Sequence, residues 1–425
     1  MRVLWIASPS CNYIPVGQTG GGYNGGGWVS SLQEALTTQD GITLGISFCM
    51  DGQPEKVEQR GVTYYPIPNH RKAWKDKAVD LLRINDDSRD RAVWPQYMER
   101  MKAVIADFRP DIIHIFGSEL YQDLAALVAG DIPTVLHIQG LLSLYIYILL
   151  PVGMSPREFI RSGRGFGGRF RNMQFLASWR RSAYREKAIL RAVNHFIGRT
   201  DWDRQGVAVI NPQARYHYGG EILRDVFYTE AKREMPRRTV ITTTISGAPY
   251  KGFDVVLKVA DILKREMRMD FEWNVYGNVD PTLFEQITKL HHADLNIRLR
   301  GVASAEDIHD SLLHSTLYVH PSYVENSPNS VCEAQLTGIP VVASHVGGTD
   351  SLVEHGRTGF LFPVTDPYTA AYHIGRLAAD ADLNHRIGKA AREVAVTRHD
   401  KEKIVAQLLQ TYQEIIAEKE DARDS

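Results

Sequence analysis

Two carboxylates, Glu325 and Glu333, stand eight positions apart in HPSYVENSPNSVCEAQLTGIPVVASHVGG, residues 320–348. Pro321 and Pro328 exclude helix from the first part of this stretch, which puts Glu325 on a loop after the strand SLLHSTLYVH. The pattern predicts a helix opening at Asn329 or Ser330, both good N-caps, and closing at Gly338 before the apolar strand IPVVAS. Both carboxylates can then face one ligand, while amide N–H groups at the helix start hold its anionic part. Such a set suits a polyhydroxy phosphate ester. The same residues admit a plainer reading, in which Ser330 and Glu333 form a capping box.

A site of this kind needs a parallel sheet, because α/β sheets bind ligands beyond the carboxyl ends of their strands. Strands are predicted at RVLWIAS, ITLGISF, VTYYPI, DIIHIF, TVLHI and NHFIG, separated by helical stretches such as RAVWPQYMERMKAVIADF. The alternation restarts at TVITTTI and runs through FEWNVYGN, LNIRLRGV and TLYVHPS. A chain of 425 residues exceeds what one core usually holds. Two α/β domains are expected: 1–232, then a linker around TEAKREMPRR, then 239–398. Residues 399–425 form a terminal helix with a charged, disordered tail, EKEDARDS.

A 44% apolar, 23% charged composition with net charge −1 is that of an ordinary globular protein and gives no support to nucleic-acid binding. Cys11, Cys49 and Cys332 are odd in number and lack metal spacing, which predicts reduced thiols and a cytoplasmic location. MRVLWIAS reads as a buried strand rather than a secretory signal. The longest apolar run, LLSLYIYILLPVGM at 141–154, is too short to span a bilayer and contains Pro151.

The stretch 320–348 resembles the signature of retaining family-4 glycosyltransferases of the GT-B fold: a Glu, seven residues, a second Glu, then a Gly-x-Pro-Val-Val turn and a Gly-Gly pair. Here these are Glu325, Glu333, Gly338, Pro340, Val341, Val342, Gly347 and Gly348. The resemblance implies two Rossmann-like doubly wound domains facing a cleft, with the terminal helix crossing back to the first. It also implies donor contacts from Lys251, Gly252, Gly277, Asn329, Ser330, Val331 and Glu333, with Glu325 at the transferred sugar. Gly25, Gly26 and Gly27 match the glycine loop that faces the donor diphosphate; a flexible surface loop is the plainer reading. His137, opening a His-x-x-Gly turn, matches the imidazole that reaches the sugar, although a lone histidine at a strand end is more often structural. Lys251 matches the diphosphate lysine, against an exposed helix-start lysine. The family's arginine five residues earlier is Ser246 here, leaving Arg199 as a candidate diphosphate contact. YHYGGE stands where the family has a Pro-Asn-Gly-Val-Asp turn.

No Asp-x-Asp is read at a strand end, so no metal and no cofactor are expected. Residues 141–190 depart from the shorter family pattern. Arg157, Arg161, Arg164, Arg169, Arg171, Arg180, Arg181 and Arg185 follow the apolar run with Glu158 as the acid among them. The segment reads either as a solvated cationic helix face or as a peripheral contact with anionic lipid at the inner membrane face. The expected activity is retaining transfer of a sugar from a nucleotide-diphosphate sugar to a saccharide or lipid-linked saccharide acceptor in surface glycan synthesis. The alternatives are an epimerase or phosphorylase of the same fold, or an inactive sugar-nucleotide-binding protein.

Overall fold

The computed structural model describes residues 1–8, 11–14, 27–52, 54–69, 88–230, 233 and 235–424. Its first sheet contains β1 (Arg2–Ile6), β2 (Thr43–Met50), β3 (Val57–Gln59), β4 (Val62–Pro68), β5 (Ile112–Phe116), β6 (Thr134–His137), β7 (His195–Gly198) and β8 (Arg215–Tyr218). Their order is β3-β4-β2-β1-β5-β6-β7-β8, parallel except for the edge hairpin β3–β4. Val3 to Ile6 of β1 are wholly buried, as a central parallel strand covered on both faces must be. Val3 and Trp5 join the core under helix Gly27–Thr37, while Leu4 and Ile6 join the one under helix Trp94–Phe108.

The second sheet contains β9 (Thr239–Thr244), β10 (Phe271–Tyr276), β11 (Ile297–Gly301), β12 (Leu317–His320), β13 (Val341–Ser344) and β14 (Phe360–Phe362), in the parallel order β11-β10-β9-β12-β13-β14. Strand order reverses between β1 and β5 in one sheet and between β9 and β12 in the other, and these are the points where a doubly wound sheet opens a crevice.

The chain enters the second domain earlier than residue 232. Leu223 and Phe227 already pack in its core with Leu312, Val331 and Ala395. Arg233 then pins the connection, donating to the carbonyls of Ser315, Thr316 and Gly338 and to Asn384 Oδ1. The terminal helix Lys401–Asp424 returns to the first domain, where Ile404, Val405, Leu408 and Tyr412 fill the β1 face. Trp5 Nε1 lies 3.2 Å and His114 Nδ1 2.5 Å from Tyr412 Oη. The EKEDARDS tail continues this helix to Asp424 instead of ending it, because Glu, Lys, Ala and Arg are good helix formers.

Residues 141–190 hold three helices, Leu142–Tyr145, Pro156–Ser162 and the long Gly165–Ala192. The uniform cationic face expected from the arginines is only partly present. Arg185 is buried, paired with Asp90 at 3.0 Å and lying over the Tyr121 ring at 4.0 Å; Arg181 is also buried. Among the described residues no helix is long and apolar enough to cross a membrane.

Candidate donor and acceptor cleft

The loop from β12 to helix Asn329–Thr337 carries the site, and its path is fixed by backbone contacts. Tyr323 N–H donates to Tyr250 O and Gly348 N–H to Glu325 O. Gly252 and Gly347 have φ of 76° and 53°. A Cβ on Gly252 would lie 2.1 Å from Pro321 O, and one on Gly347 1.8 Å from Glu325 O. Only glycine lets these two turns close on the Glu325 loop from both sides.

Glu325 is 7% exposed. Its Oε1 accepts from Lys251 Nζ at 2.6 Å and Ser322 Oγ at 2.8 Å, with His320 Nε2 3.4 Å away. Burial works against ionisation, yet Lys251 and then His320 hold the carboxyl down at about 2. For Lys251, burial disfavours the charge, but Glu325 and Tyr250 raise it above the ordinary value. Lys251 is therefore no exposed helix-start lysine; it is held by Glu325, beside the Tyr250 ring.

Glu333 is 6% exposed and accepts from Arg224 Nε and Nη2 at 3.0 and 2.7 Å, both on Oε1. Burial pushes this carboxyl up, with Arg224 opposing. The capping box with Ser330 does not form: the cap position is Pro328, which has no side-chain acceptor, and Glu333 is drawn to the arginine instead. In both glutamates Oε2 makes no hydrogen bond among the described residues. Between them, the N–H groups of Asn329 and Ser330 are without a partner among the described residues. That of Val331 donates to Pro328 O. The helix ends at Thr337, and Gly338 adopts the left-handed turn. Gly277 lies at the end of β10, its Cα close against Ile245 O.

Arg199 is not a diphosphate ligand in this arrangement. It is 5% exposed, ion-paired to Glu221, and donates to the carbonyls of Ile138 and Gln139. Glu221, from the YHYGGE segment, also receives Ser327 Oγ at 3.3 Å. The Asn329 amide, oriented with its nitrogen toward it, donates to both Glu221 oxygens at 3.0 Å. Asn326 joins the domains in the same way: Thr200 Oγ1 donates to its Oδ1 at 2.7 Å, and its Nδ2 donates to Asp203 Oδ2 at 2.9 Å. An Asp-x-Asp, Asp201-Trp202-Asp203, does follow β7, but as a helix start. Asp203 is consumed by Tyr216, Asn326 and the Arg199 N–H, and Asp201 by Arg204.

His137 ends β6 and is 2% exposed, among Trp28, His114 and Phe116. Neither ring nitrogen has a hydrogen-bond partner among the described residues, and burial, then His114 and Arg199, lowers its basicity well below the ordinary range. Gly25 and Gly26 lie outside the described residues. Gly27 opens helix Gly27–Thr37 beside Arg224, where an added Cβ would meet Arg224 Cγ and Cδ at 3.2 Å, so that helix start faces Glu333 through the arginine.

Two residues without any sequence signature complete the cleft. Glu119 follows β5 and accepts from Ser118 N–H at 2.9 Å. Burial and then the neighbouring Glu186 push its carboxyl up to about 7. Tyr145 packs against the Trp179, Trp202 and Tyr250 rings, and its phenol is raised by burial first and then by Glu325, with Glu119 adding to it. Glu186 holds this wall together, accepting from Ser118 Oγ and from the Leu142 and Ser143 N–H groups.

Two doubly wound domains facing a cleft, with a terminal helix returning to the first, define the GT-B fold. Whole-chain likeness to solved structures agrees. Sucrose-phosphate synthase from Thermosynechococcus elongatus is 18% identical with TM-score 0.68, covering 98% of this chain and 99% of that one. Anabaena HepE in complex with UDP-glucose is 16% identical with TM-score 0.62, over 97% and 100%. WaaG, a glycosyltransferase involved in lipopolysaccharide biosynthesis, is 14% identical with TM-score 0.61, over 98% and 99%. Residues 230–394 match glycosyl transferases group 1. The D-inositol 3-phosphate glycosyltransferase of Streptomyces scabiei is 33% identical over 153 residues, 34% of each chain. The N-acetyl-alpha-D-glucosaminyl L-malate synthase of Bacillus anthracis is 27% identical over 142 residues, 33% of this chain and 36% of that one. The alignment spans about a third of these curated relatives. The likeness to glycosyl transferases group 1 is carried by residues 230–394.

Proposed function

We propose that the protein is a glycosyltransferase that moves a sugar from a nucleotide-diphosphate sugar to a saccharide or lipid-linked saccharide acceptor, with retained anomeric configuration and without a divalent metal. The observation that carries the reading is the pair Glu325 and Glu333, each with one oxygen tied to a cation and one left over. They flank the N–H groups of Asn329 and Ser330, which have no partner among the described residues. Glu333 Oε2 would accept the ribose hydroxyls and Glu325 Oε2 a hydroxyl of the transferred sugar. As the acceptor oxygen bonds to the anomeric carbon and the bond to the diphosphate breaks, charge gathers on the leaving phosphate. Lys251 and the two amides are placed to meet that charge, and the acceptor proton leaves with the phosphate.

Structures of Anabaena HepE hold UDP and UDP-glucose, which supports a nucleotide sugar as donor. The named relatives act on unlike acceptors, so they point to no acceptor in common. The acceptor side, built by Glu119, Tyr145 and the 141–190 segment, would work at the cytoplasmic face of a membrane. Tyr147 and Phe166 of that segment are 81% and 86% exposed, as a surface that meets lipid requires. The test is donor consumption across a nucleotide-sugar panel, with and without acceptor. Consumption that needs acceptor and yields an axial-to-axial or equatorial-to-equatorial product by NMR supports the reading. Turnover of nucleotide sugar alone marks an epimerase, and binding without turnover an inactive binder.

A further inference from the structure

The 141–190 segment lines a groove of about 690 Å³ whose walls include neither donor carboxylate, within the roughly 300–1,000 Å³ range of pockets that hold small molecules. Its walls are apolar: Ile146, Leu149, Ile160, Met173 and Leu176. Four of these five remain only partly buried, so the groove is lined with side chains that the fold itself does not cover.

Helix Gly165–Ala192 gives the groove a direction. Met173, Leu176, Arg180, Ala183, Tyr184 and Lys187 line it at helical spacing, apolar first and cationic last. The cationic end is also the end anchored to the cleft: Ala183 O accepts Ser143 Oγ, and Glu186 receives Ser118, Leu142 and Ser143. Leu149, on the opposite wall, packs its other side on Tyr145 and Val324, next to Glu325. An amphiphile lying in the groove with its anion beside Arg180 and Lys187 would thus have its head next to the cleft and its tail pointing away.

We infer that this groove binds the hydrocarbon chain of a phosphate-bearing acceptor lipid, with Arg180 and Lys187 at its phosphate. The inference rests on the transferase reading, since it names the acceptor of that site. A groove that selects a single chain also differs from adsorption to a bilayer, which needs only the exposed Tyr147 and Phe166 and the outer arginines.

The experiment measures binding of dodecyl phosphate, kept below its micelle concentration, to the full chain by calorimetry, with dodecanol and inorganic phosphate as controls. Expected is one site per chain, with each control at least about tenfold weaker. Leu176→Trp, which fills the groove, and Lys187→Glu, which reverses its cationic end, should each weaken dodecyl phosphate about tenfold or more and leave UDP affinity unchanged. Unchanged UDP affinity also shows that the variants are folded. Equal binding by wild type and both variants overturns the proposal. So does uptake by anionic vesicles that grows with lipid area and ignores both substitutions, which would make the segment a membrane-surface contact. Failure of the wild type to bind any nucleotide would instead sink the transferase reading.

Discussion

Replacing Lys251 by methionine keeps the aliphatic stem but strips Glu325 of the cation 2.6 Å from its Oε1. The intact carboxyl sits at about 2, against 4.5 for an unconstrained glutamate, although burial pulls it the other way. That gap corresponds to about 3 kcal/mol of stability at neutral pH. Because the folded value lies below the unfolded one, the contribution is complete above about pH 5 and drains away as pH falls toward 2. In Lys251→Met burial is opposed mainly by His320, so the folded value rises and the carboxyl's contribution to stability shrinks. Removing one partner of a buried pair costs about 3 to 5 kcal/mol. Partial exposure of the lysine favours the lower end of that range. Urea denaturation between pH 2.5 and 8 should show the variant about 3 kcal/mol less stable at pH 8 and much closer to wild type at pH 2.5. Lys251→Met/Glu325→Gln should recover most of the loss, since the amide carries no charge to strand. An equal deficit at both pH values, or a double variant no better than the single, refutes the reasoning.

Glu333→Ala should weaken nucleotide binding about ten- to a hundredfold, the worth of a carboxylate accepting two hydroxyl protons, as measured by calorimetry with UDP and GDP; unchanged affinity removes Glu333 from the ribose. Glu119, at about 7, should impose on kcat/KM a pH dependence that changes near neutrality. Glu119→Gln should flatten that limb without shifting nucleotide affinity, and an unaltered profile excludes it from the acceptor side. His137→Ala should lower turnover far more than nucleotide affinity if the imidazole works at the sugar, whereas parallel losses would mark a packing role. Turnover should survive excess chelator, because Lys251 and the Asn329 and Ser330 amides are available for the diphosphate; a complete, metal-reversible loss contradicts this.

What the sequence by itself determined is the local physics. Proline and glycine positions placed the loop of Glu325, the helix that follows and its Gly338 stop, because backbone sterics act within a few residues. Continuous apolar runs placed most of the strands and hence two parallel sheets. The short strands β3, β8 and β14 escaped, since three or four residues at a sheet edge carry little periodicity. Which charges meet was decided only by tertiary structure. Glu333 finds Arg224 across 109 residues, Glu325 finds Lys251 across 74, and Asn326 finds Thr200 across 126. Arg199 looked available as a cation until the fold set Glu221 beside it. Arg185 looked like surface charge until helix packing carried it onto Asp90 and Tyr121. Coulomb and hydrogen-bond energies depend on distance in space and on burial, and neither is a property of position along the chain.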